Sequence, residues 1–328
     1  MRLIVYFSFY LIVLRCGNVQ GQTCCSGGAP LMTSFDIGTN GPDGSYLAIG
    51  LDYEYNSVNK LVDNNRRLEN DPRHRSGQNL LLKIDYIHDA HWAFSGLLPM
   101  VIQQRTTFSE SERASGIGDL TLLGQYSKPL GSDMSLRLSL GAKLPVGNRF
   151  RRDDRGIFLS PDMQPGTGTF DFVGRAAVLR QHFIIPNLTN LTAVSYRYNT
   201  TNPHFGDPQR QGGRRFKFGN EAILSTSFNY LFVLNAWFVL PDAGVRFRYA
   251  SPNEEEGSRA PNSGGYWMLI PVGVQFQPNE GLMFRASVEF PVWEDLAGLQ
   301  ITTDLKVGVQ IRYFLEPGTR DRDRSGID

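Results

Sequence analysis

Cysteine is scarce in this chain, because its 328 residues include only Cys16, Cys24 and Cys25. So few cysteines exclude a fold held together by a framework of disulfide bonds. The net charge is also small, since 33 lysines and arginines and 32 acidic residues leave a formal charge of +1. A nucleic-acid-binding protein would be strongly basic, so that class is excluded too. Beyond the first residues no stretch is apolar enough for a helix in lipid, whereas glycine and aromatic residues are abundant.

The N-terminus has the features of a secretory signal peptide. Arg2 supplies a positive charge, residues 3–14 form an apolar run, and residues 19–21 offer small side chains around a cleavage point. The apolar run has only about a dozen residues, whereas a membrane-spanning helix needs roughly 20, so a membrane anchor is the less favoured alternative. We therefore expect residues 1–21 to be removed and the mature chain to begin near Gln22.

The neighbours Cys24 and Cys25 would enter an oxidising compartment after secretion. There the pair can form a strained disulfide, bind a soft metal or remain as two thiols. No histidine or third cysteine lies close by in the sequence to complete a metal site, so we predict no metal and no cofactor. Acylation of Cys16 or Cys24 would make a lipoprotein, but Arg15 and Thr23 are unfavourable residues before such a cysteine.

Apolar and polar residues alternate through most of the mature chain. In the segment Leu299–Tyr313 one face carries Leu299, Ile301, Leu305, Val307, Val309, Ile311 and Tyr313, and polar residues fill the other face. A strand with lipid on one side and a hydrated interior on the other needs this period of two. Strands in soluble proteins are mostly shorter, with five or six residues. The pattern predicts an all-β protein, a transmembrane antiparallel up-and-down β-barrel.

About twelve such segments occur, an even number, as single-chain bacterial barrels usually have. They are residues 45–55, 79–88, 92–103, 117–128, 134–146, 169–181, 191–199, 216–226, 232–249, 266–276, 282–291 and 299–313. Pro241 and Asp242 interrupt the ninth segment, where we expect a bend or a bulge.

The linkers between these segments alternate between long and short. The long ones are residues 56–78, 105–116, 147–168, 200–215, 250–265 and 293–298, and the short ones are 89–91, 129–133, 186–190, 229–231 and 278–281. Outer-membrane barrels have short periplasmic turns and longer loops at the cell surface. The alternation therefore predicts that both ends of the barrel lie on the periplasmic side.

Charged residues of both signs fall on the inferred inward face. We identify as lumen-facing Asp52, Glu54, Lys83, Asp85, Asp119, Arg137, Lys143, Asp171, Arg175, Lys217, Glu221, Arg246, Arg248, Arg285, Glu289, Asp304, Lys306 and Arg312. One interpretation is that these charges pair across the lumen and satisfy one another. The other is a hydrated path whose slight cationic excess favours anions or polar solutes. A barrel of this strand number has a narrow lumen that side chains and loops can block.

Two groups of short motifs carry a family resemblance. Residues 116–120 read Gly-Ile-Gly-Asp-Leu, and residues 144–147 read Leu-Pro-Val-Gly, followed by Ser-Pro-Asp-Met-Gln-Pro-Gly-Thr-Gly-Thr-Phe-Asp at 160–171. Together they resemble the outer-membrane transporter-like β-barrel family of the phenol-degradation meta-pathway type, a relative of the channels for fatty acids and aromatic hydrocarbons. The resemblance implies a barrel that passes small organic molecules, including aromatic or hydrophobic ones.

These observations predict a porin-like protein of the Gram-negative outer membrane that transports small solutes and is not an enzyme. We expect a signal peptide at 1–21, a periplasmic, plug-like segment at 22–44, the barrel at 45–315 and a polar tail at 316–328. The expected partners are outer-membrane lipid and lipopolysaccharide, a small-molecule solute and the barrel-assembly machinery, but no nucleic acid.

Two other functions are open at this point. A plugged barrel could be structural or adhesive, with residues 22–44 restricting flow. An outer-membrane hydrolase would need a serine and a histidine placed together at the barrel rim. His88 and His91 lie at a predicted short turn and His204 in a predicted loop, and none of them has a suggestive serine motif beside it.

Overall fold

The structure, a computed structural model, describes residues 45–69, 71–108, 110–206 and 214–315. The predicted signal peptide, the segment 22–44 with Cys24 and Cys25, and the tail 316–328 lie outside the described residues. Within the four described ranges, no helix is long and apolar enough to cross a membrane.

Strands make up most of the described chain. In chain order they are β1 (Tyr46–Val58), β2 (Lys60–Asp63), β3 (Arg66–Leu68), β4 (His74–Ile87), β5 (Trp92–Thr106), β6 (Ser111–Ile117), β7 (Leu120–Pro129), β8 (Met134–Leu144), β9 (Asp171–Arg180), β10 (Leu188–Tyr198), β11 (Asn202–Phe205), β12 (Arg214–Lys217), β13 (Glu221–Tyr230), β14 (Phe232–Leu234), β15 (Trp237–Ala250), β16 (Glu254–Glu255), β17 (Ser258–Arg259), β18 (Gly265–Asn279), β19 (Leu282–Leu296), β20 (Leu299–Thr302) and β21 (Leu305–Leu315). One turn of 3₁₀ helix, Pro161–Met163, lies between β8 and β9.

Twelve of these strands form one closed antiparallel barrel. Around the barrel they follow the order β1, β4, β5, β7, β8, β9, β10, β13, β15, β18, β19 and β21. The ring closes because β21 pairs with β1 in an unbroken register, from Leu47 opposite Leu315 to Ser57 opposite Leu305. β6 pairs with the second half of β5, and β14 pairs with β15. The predicted all-β barrel of about twelve strands is confirmed.

The two faces of the barrel wall have opposite character. On β1, Ile49 and Leu51 point outward and are 40% and 44% exposed, whereas Ala48 and Asp52 point inward and are 1% and 8% exposed. Because successive side chains of a strand point to opposite faces, the alternation in the sequence becomes an apolar outer surface and a polar interior. A soluble protein has the reverse arrangement, with its charges exposed and its large apolar residues buried.

The barrel has two different ends. At the end called here the short-turn end, the connections are residues 88–91, 130–133, 181–187, 235–236 and 280–281. At the other end, called here the loop end, residues 145–170, 199–220 and 251–264 connect barrel strands. Tyr46 and Leu315, the two ends of the barrel, are both at the short-turn end.

One predicted turn is wrong. We expected the chain to reverse at residues 229–231, but the ladder with β15 continues in the same register from Asn229 opposite Asp242 to Phe232 opposite Val239. The reversal comes at residues 235–236, where Asn235 has a φ of 57°. Asparagine tolerates this left-handed conformation, which tight two-residue hairpin turns require. The apolar residues after the expected turn belong to the end of one strand and not to the start of the next.

Three predicted loops contain much more strand than expected. Residues 56–78 include β2 and β3, residues 105–116 fall largely in β5 and β6, and residues 293–298 fall largely in β19. β2 and β3 form a separate three-stranded sheet with β20, whereas β6 continues the barrel ladder along β5. Apolar residues do not alternate along these strands, because strands beyond the lipid need no apolar outer face.

Two predicted strands are broken near the loop end. The segment 299–313 divides into β20, which pairs with β2, and β21, which pairs with β1 and β19. The segment 216–226 also divides, because residues 214–217 belong to β12 and the barrel strand β13 begins only at Glu221. β12 pairs with β11 and β16 in a separate four-stranded sheet. The inward and outward faces assigned from the sequence therefore do not hold across these breaks.

Candidate solute pathway

The barrel encloses a cavity with a volume of about 910 Å³. Leu231, Glu280 and Phe314 line it at the short-turn end, and Glu54 and Arg246 line it near the middle of the barrel. A cavity of this size lies at the upper end of the range of small-molecule sites.

The structure places most of the predicted lumen residues inside the barrel. Nine line the cavity: Asp52, Glu54, Arg137, Arg175, Arg246, Arg285, Glu289, Lys306 and Arg312. Seven more lie in interior ion pairs: Lys83, Asp85, Asp119, Lys143, Asp171, Glu221 and Arg248.

The remaining two predicted lumen residues are elsewhere, which corrects the sequence-based assignment. Lys217 lies on β12, where its Nζ is 3.1 Å from Oε1 of Glu254 in the four-stranded sheet of the loop end. Asp304 lies between β20 and β21, and its side chain is exposed. Both residues were assigned by counting alternate positions across a strand break, so the count assigned them to the wrong face.

A series of ion pairs follows one side of the interior from the short-turn end upward. Nearest that end, Arg285 donates two hydrogen bonds to Asp242, at 2.5 and 2.9 Å. Glu289 comes next and pairs with Arg246 and with Lys306, whose Nζ is 3.3 Å away. Further up, Glu221 pairs with both Arg197 and Arg248. The charges on this side are therefore paired with one another, as the first interpretation of the sequence required.

Asp242 and Arg197 are interior residues that the sequence reasoning missed. Asp242 was assigned to an interruption because it follows Pro241, but β15 continues through both residues. The alternation with Arg246 and Arg248 on the same strand would have placed Asp242 on the inward face. Arg197 stands on β10, whose alternation is weak in the sequence.

The strands from β4 round to β13 give the interior an apolar stripe. Leu81, Leu97, Leu123, Val173 and Ile223 are all buried and form one contact cluster. Leu81 and Ile223 also line the cavity. The interior thus combines ion pairs with an apolar cluster, and both occur on the strands from β4 round to β9.

The connection between β8 and β9, residues 145–170, folds into the barrel at the loop end. Residues 162–167 are all buried, although they belong to a long connection. Asp162 is held by side chains of nearby barrel strands: Arg75 of β4 donates to its Oδ2 at 2.5 Å and to its backbone carbonyl at 2.6 Å. Arg105 of β5 donates to Ser160 Oγ at 3.0 Å, and Met163 packs against Ala114 of β6. We call residues 145–170 the inward loop; it narrows the lumen at the loop end.

The base of the inward loop is fixed by Asp119. Its carboxylate accepts hydrogen bonds from the backbone N–H of Gly147 at 3.0 Å and from the N–H and hydroxyl of Thr167 at 2.8 and 2.7 Å. Lys143 Nζ lies 3.3 Å from Asp119 Oδ2 and also pairs with Asp171. We call these five residues the Asp119 hub.

The hub explains why the motifs of the family resemblance occur together. Gly116-Ile-Gly-Asp supplies Asp119, Leu144-Pro-Val-Gly supplies Gly147, and the stretch 160–171 supplies Thr167 and Asp171. The backbones of Gly147 and Gly166 are so close that a Cβ on either would lie within 2.9 Å of the other. Glycine is needed at both positions because a side chain would separate the two segments.

Acidity should not release the inward loop under ordinary conditions. Burial raises the pKa of the Asp162 carboxyl, but the charges of Arg75 and Arg105 outweigh burial and hold that pKa below its usual value. A carboxyl whose pKa is lower in the docked state stabilises docking above its usual pKa and loses this effect only as the pH falls through the lowered value. We expect the ion current through the barrel in a planar bilayer to stay constant from about pH 8 to about pH 5 and to rise only in stronger acid. A rise at about pH 6 would show that Asp162 does not control the response.

The described residues contain no group of three or more His, Cys, Asp or Glu side chains that could hold a metal ion. The two histidines of the first short turn lie next to a tyrosine hydroxyl and a backbone carbonyl. His88 Nδ1 is 3.4 Å from the hydroxyl of Tyr86, and His91 Nδ1 is 2.9 Å from the backbone carbonyl of Ser127.

Comparison with solved structures places the fold among bacterial β-barrels. An outer membrane channel from Pseudomonas putida F1 matches with a TM-score of 0.69 at 13% sequence identity, over 84% of this chain and 96% of that one. The β-domain of the Bordetella autotransporter BrkA matches with a TM-score of 0.46 at 14% identity, over 80% of this chain and 98% of that one. The toluene transporter TodX of P. putida matches with a TM-score of 0.44 at 10% identity, over 86% of this chain and 92% of that one.

No curated protein sequence matches this chain. Residues 77–298, by contrast, match the family described as "Putative MetA-pathway of phenol degradation". The match spans most of the chain and includes every residue of the Asp119 hub, as the resemblance of the short motifs implied. The chain belongs to this family.

Proposed function

We propose that this protein is a channel of the Gram-negative outer membrane that passes small organic solutes, including aromatic or hydrophobic ones. The observation that carries the proposal is the wall itself: an apolar surface outside and a cavity of about 910 Å³ inside, lined by charged side chains and by apolar ones such as Leu81 and Ile223. An interior of this kind can accommodate a molecule that has both an apolar part and a polar group.

The short-turn end faces the periplasm and the loop end faces the cell surface, as in other outer-membrane barrels. The family description refers to phenol degradation, and the similar P. putida protein is an outer membrane channel. Both fit a role in taking up small organic molecules. Outer-membrane lipid, lipopolysaccharide and the barrel-assembly machinery are the partners that this location implies.

The membrane location can be tested on one strand with a matched pair of substitutions. Val309 points outward in the middle of β21 and is 47% exposed, whereas its neighbour Gln310 lines the cavity. Val309→Lys should destabilise the folded barrel in lipid by about 2–4 kcal/mol, because it places a charge against the hydrocarbon. Gln310→Lys should have little effect, because that side chain faces the hydrated interior.

The measurement is the fraction of protein that folds into phospholipid vesicles, read from the heat-dependent mobility of the barrel in SDS gels across a urea series. Equal stabilities of the two variants would mean that lipid does not surround the outer face, and the membrane location would then be wrong.

Transport itself is tested with the mature chain in planar bilayers and liposomes. We propose that residues 22–44 restrict flow, because the barrel begins at the short-turn end, where the cavity also reaches the rim. Ion current and uptake of radiolabelled aromatic alcohols and acids should be detectable with the full mature chain and should rise when residues 22–44 are deleted. Absence of both current and uptake in both forms would favour a plugged structural or adhesive barrel.

We propose transport without catalysis. The alternative of an outer-membrane hydrolase is tested by a phospholipase assay on the same purified protein. Sustained turnover that disappears on replacing one serine–histidine pair would overturn this part of the proposal.

A further inference from the structure

The mouth of the cavity at the short-turn end combines apolar side chains with one half-buried ion pair. Along the inward face of β15, Phe238 and Leu240 are followed by Asp242, and all three line the cavity. Leu231 and Met283 also belong to the apolar lining of this mouth. The polar feature next to them is the Asp242–Arg285 pair.

The Asp242–Arg285 pair is built into the wall and still faces the lumen. Arg285 Nη1 donates to Asp242 Oδ1 at 2.5 Å and Nη2 donates to Oδ2 at 2.9 Å. The pair lies over the backbone of Gly273, where a Cβ would be 2.9 Å from both side chains. The side chain of Arg285 is nevertheless 26% exposed, more than the arginines of the deeper pairs with Glu289 and Glu221.

The neighbouring positions are small or able to form hydrogen bonds. Across the strands, Asp242 stands opposite Gly273, which stands opposite Ser287, and Leu240 stands opposite Gln275, which stands opposite Arg285. The result is an apolar surface of one aromatic and several aliphatic side chains that borders directly on hydrogen-bonding groups.

We infer that this mouth is a binding site for uncharged solutes that carry one hydroxyl group on an apolar ring or chain. The inference rests on the proposed channel function and names the class of solute. A hydroxyl group is complementary to a neutral ion pair, because it can donate to the carboxylate of Asp242 and accept from the guanidinium of Arg285. The two bonds between the side chains use only two of the five guanidinium N–H groups.

The ion pair disfavours two related classes of solute, carboxylates and hydrocarbons without a polar group. A solute carboxylate is attracted to Arg285 but repelled by Asp242, so the pair gives it little net advantage. A hydrocarbon without a polar group can pack against Phe238 and Leu240 but leaves the half-exposed charges without their water. The hydroxylated solute alone satisfies both parts of the site.

Three probes that share one ring test this specificity: 4-methylphenol, 4-methylbenzoate and toluene. Binding is measured by equilibrium dialysis against the mature protein in phospholipid nanodiscs, with empty nanodiscs as the blank for partitioning into lipid. We expect 4-methylphenol to bind about tenfold more tightly than either of the others, the effect of one charge-assisted hydrogen bond.

A single substitution should change the order of the probes. Asp242→Asn leaves Arg285 as a lone cation, so 4-methylbenzoate should become the tightest ligand and 4-methylphenol should lose about tenfold. Asp133→Asn is the matched control, because Asp133 is an exposed acid in another turn at the same end of the barrel and lies outside the cavity lining. It should leave the order unchanged.

If Asp242→Asn does not fold, the double variant Asp242→Leu/Arg285→Met removes both charges and leaves no lone buried cation. It should bind toluene and 4-methylphenol equally well. The inference is wrong if the wild-type protein does not prefer 4-methylphenol, or if Asp242→Asn and Asp133→Asn change the order of the probes equally. Dialysis measures binding and needs no flow through the barrel. If the probes bind in the expected order but neither current nor uptake is detected, the proposed channel function is wrong and the binding site stands. If current and uptake are detected but the probes do not bind in that order, the channel function stands and the binding site is wrong.

Discussion

Replacing Asp162 by asparagine is expected to increase the ion current through a single barrel severalfold. Asp162 and Arg75 are 5% and 3% exposed, and Asp162 carries the charge that holds the tip of the inward loop against β4 and β5. Breaking a buried ion pair by removing one partner costs about 3–5 kcal/mol, because the other charge stays buried without compensation. That cost falls on the docked state of the loop, so the loop should leave the lumen for a large fraction of the time.

Arg75→Met tests the same contact from the barrel side. Arg75 lies on β4 and also donates to Gln103 at 2.5 Å. Arg75→Met therefore removes the β4 side of the contact, while the inward loop keeps the charge of Asp162. Both variants should give larger or more frequently open currents in planar bilayers. Asp154→Asn is the control, since it removes one charge from an exposed position of the same loop. Currents equal to the wild type in both Asp162→Asn and Arg75→Met would show that the inward loop is not the narrowest part of the path.

The sequence predicted those features of the barrel that depend on contact with lipid. Lipid requires an apolar residue at every second position, so the strands, their approximate number and the inward side of residues such as Arg246 and Glu289 could be identified from alternation. At the loop end the strands no longer contact lipid, so alternation no longer indicates which residues form strands or which face points inward. β6, with the sequence Ser-Glu-Arg-Ala-Ser-Gly-Ile, is a regular strand without an alternating pattern. Lys217 and Asp304 were misplaced for the same reason.

The inward loop could not be predicted from local sequence. Its motif at residues 160–171 carried the family resemblance, but nothing in it indicates burial, because the residue that makes burial of Asp162 possible is 87 positions away on β4. The Asp119 hub could not be predicted from local sequence either. It joins three segments of the chain, and the glycines of these segments resemble ordinary loop residues. Both sites depend on long-range pairing of a buried charge, which a pattern of alternating residues does not report.

Replacing Asp119 by asparagine is expected to destabilise the barrel by about 3 kcal/mol, because an amide has one acceptor oxygen where the carboxylate has two, so a buried N–H group of Gly147 or Thr167 loses its acceptor and Lys143 keeps only Asp171. The side chains of Asp119 and Lys143 are 2% and 4% exposed, so water cannot replace the missing charge without opening the wall. The stability is measured as the urea concentration at which the heat-dependent mobility in SDS gels changes. Asp133→Asn, in the exposed turn between β7 and β8, should be neutral.

A second variant separates the geometry of the hub from its charge. Gly166→Ala keeps all three charges but places a Cβ 2.8 Å from the backbone of Gly147 and 2.9 Å from Asp119 Oδ1. If the hub works by holding the two ends of the inward loop together, Gly166→Ala should lower stability and raise the ion current just as Asp119→Asn does. Loss of stability without any change in current would limit the hub to a structural role in the wall. If Asp119→Asn were as stable as Asp133→Asn, the hub would not hold the inward loop at all.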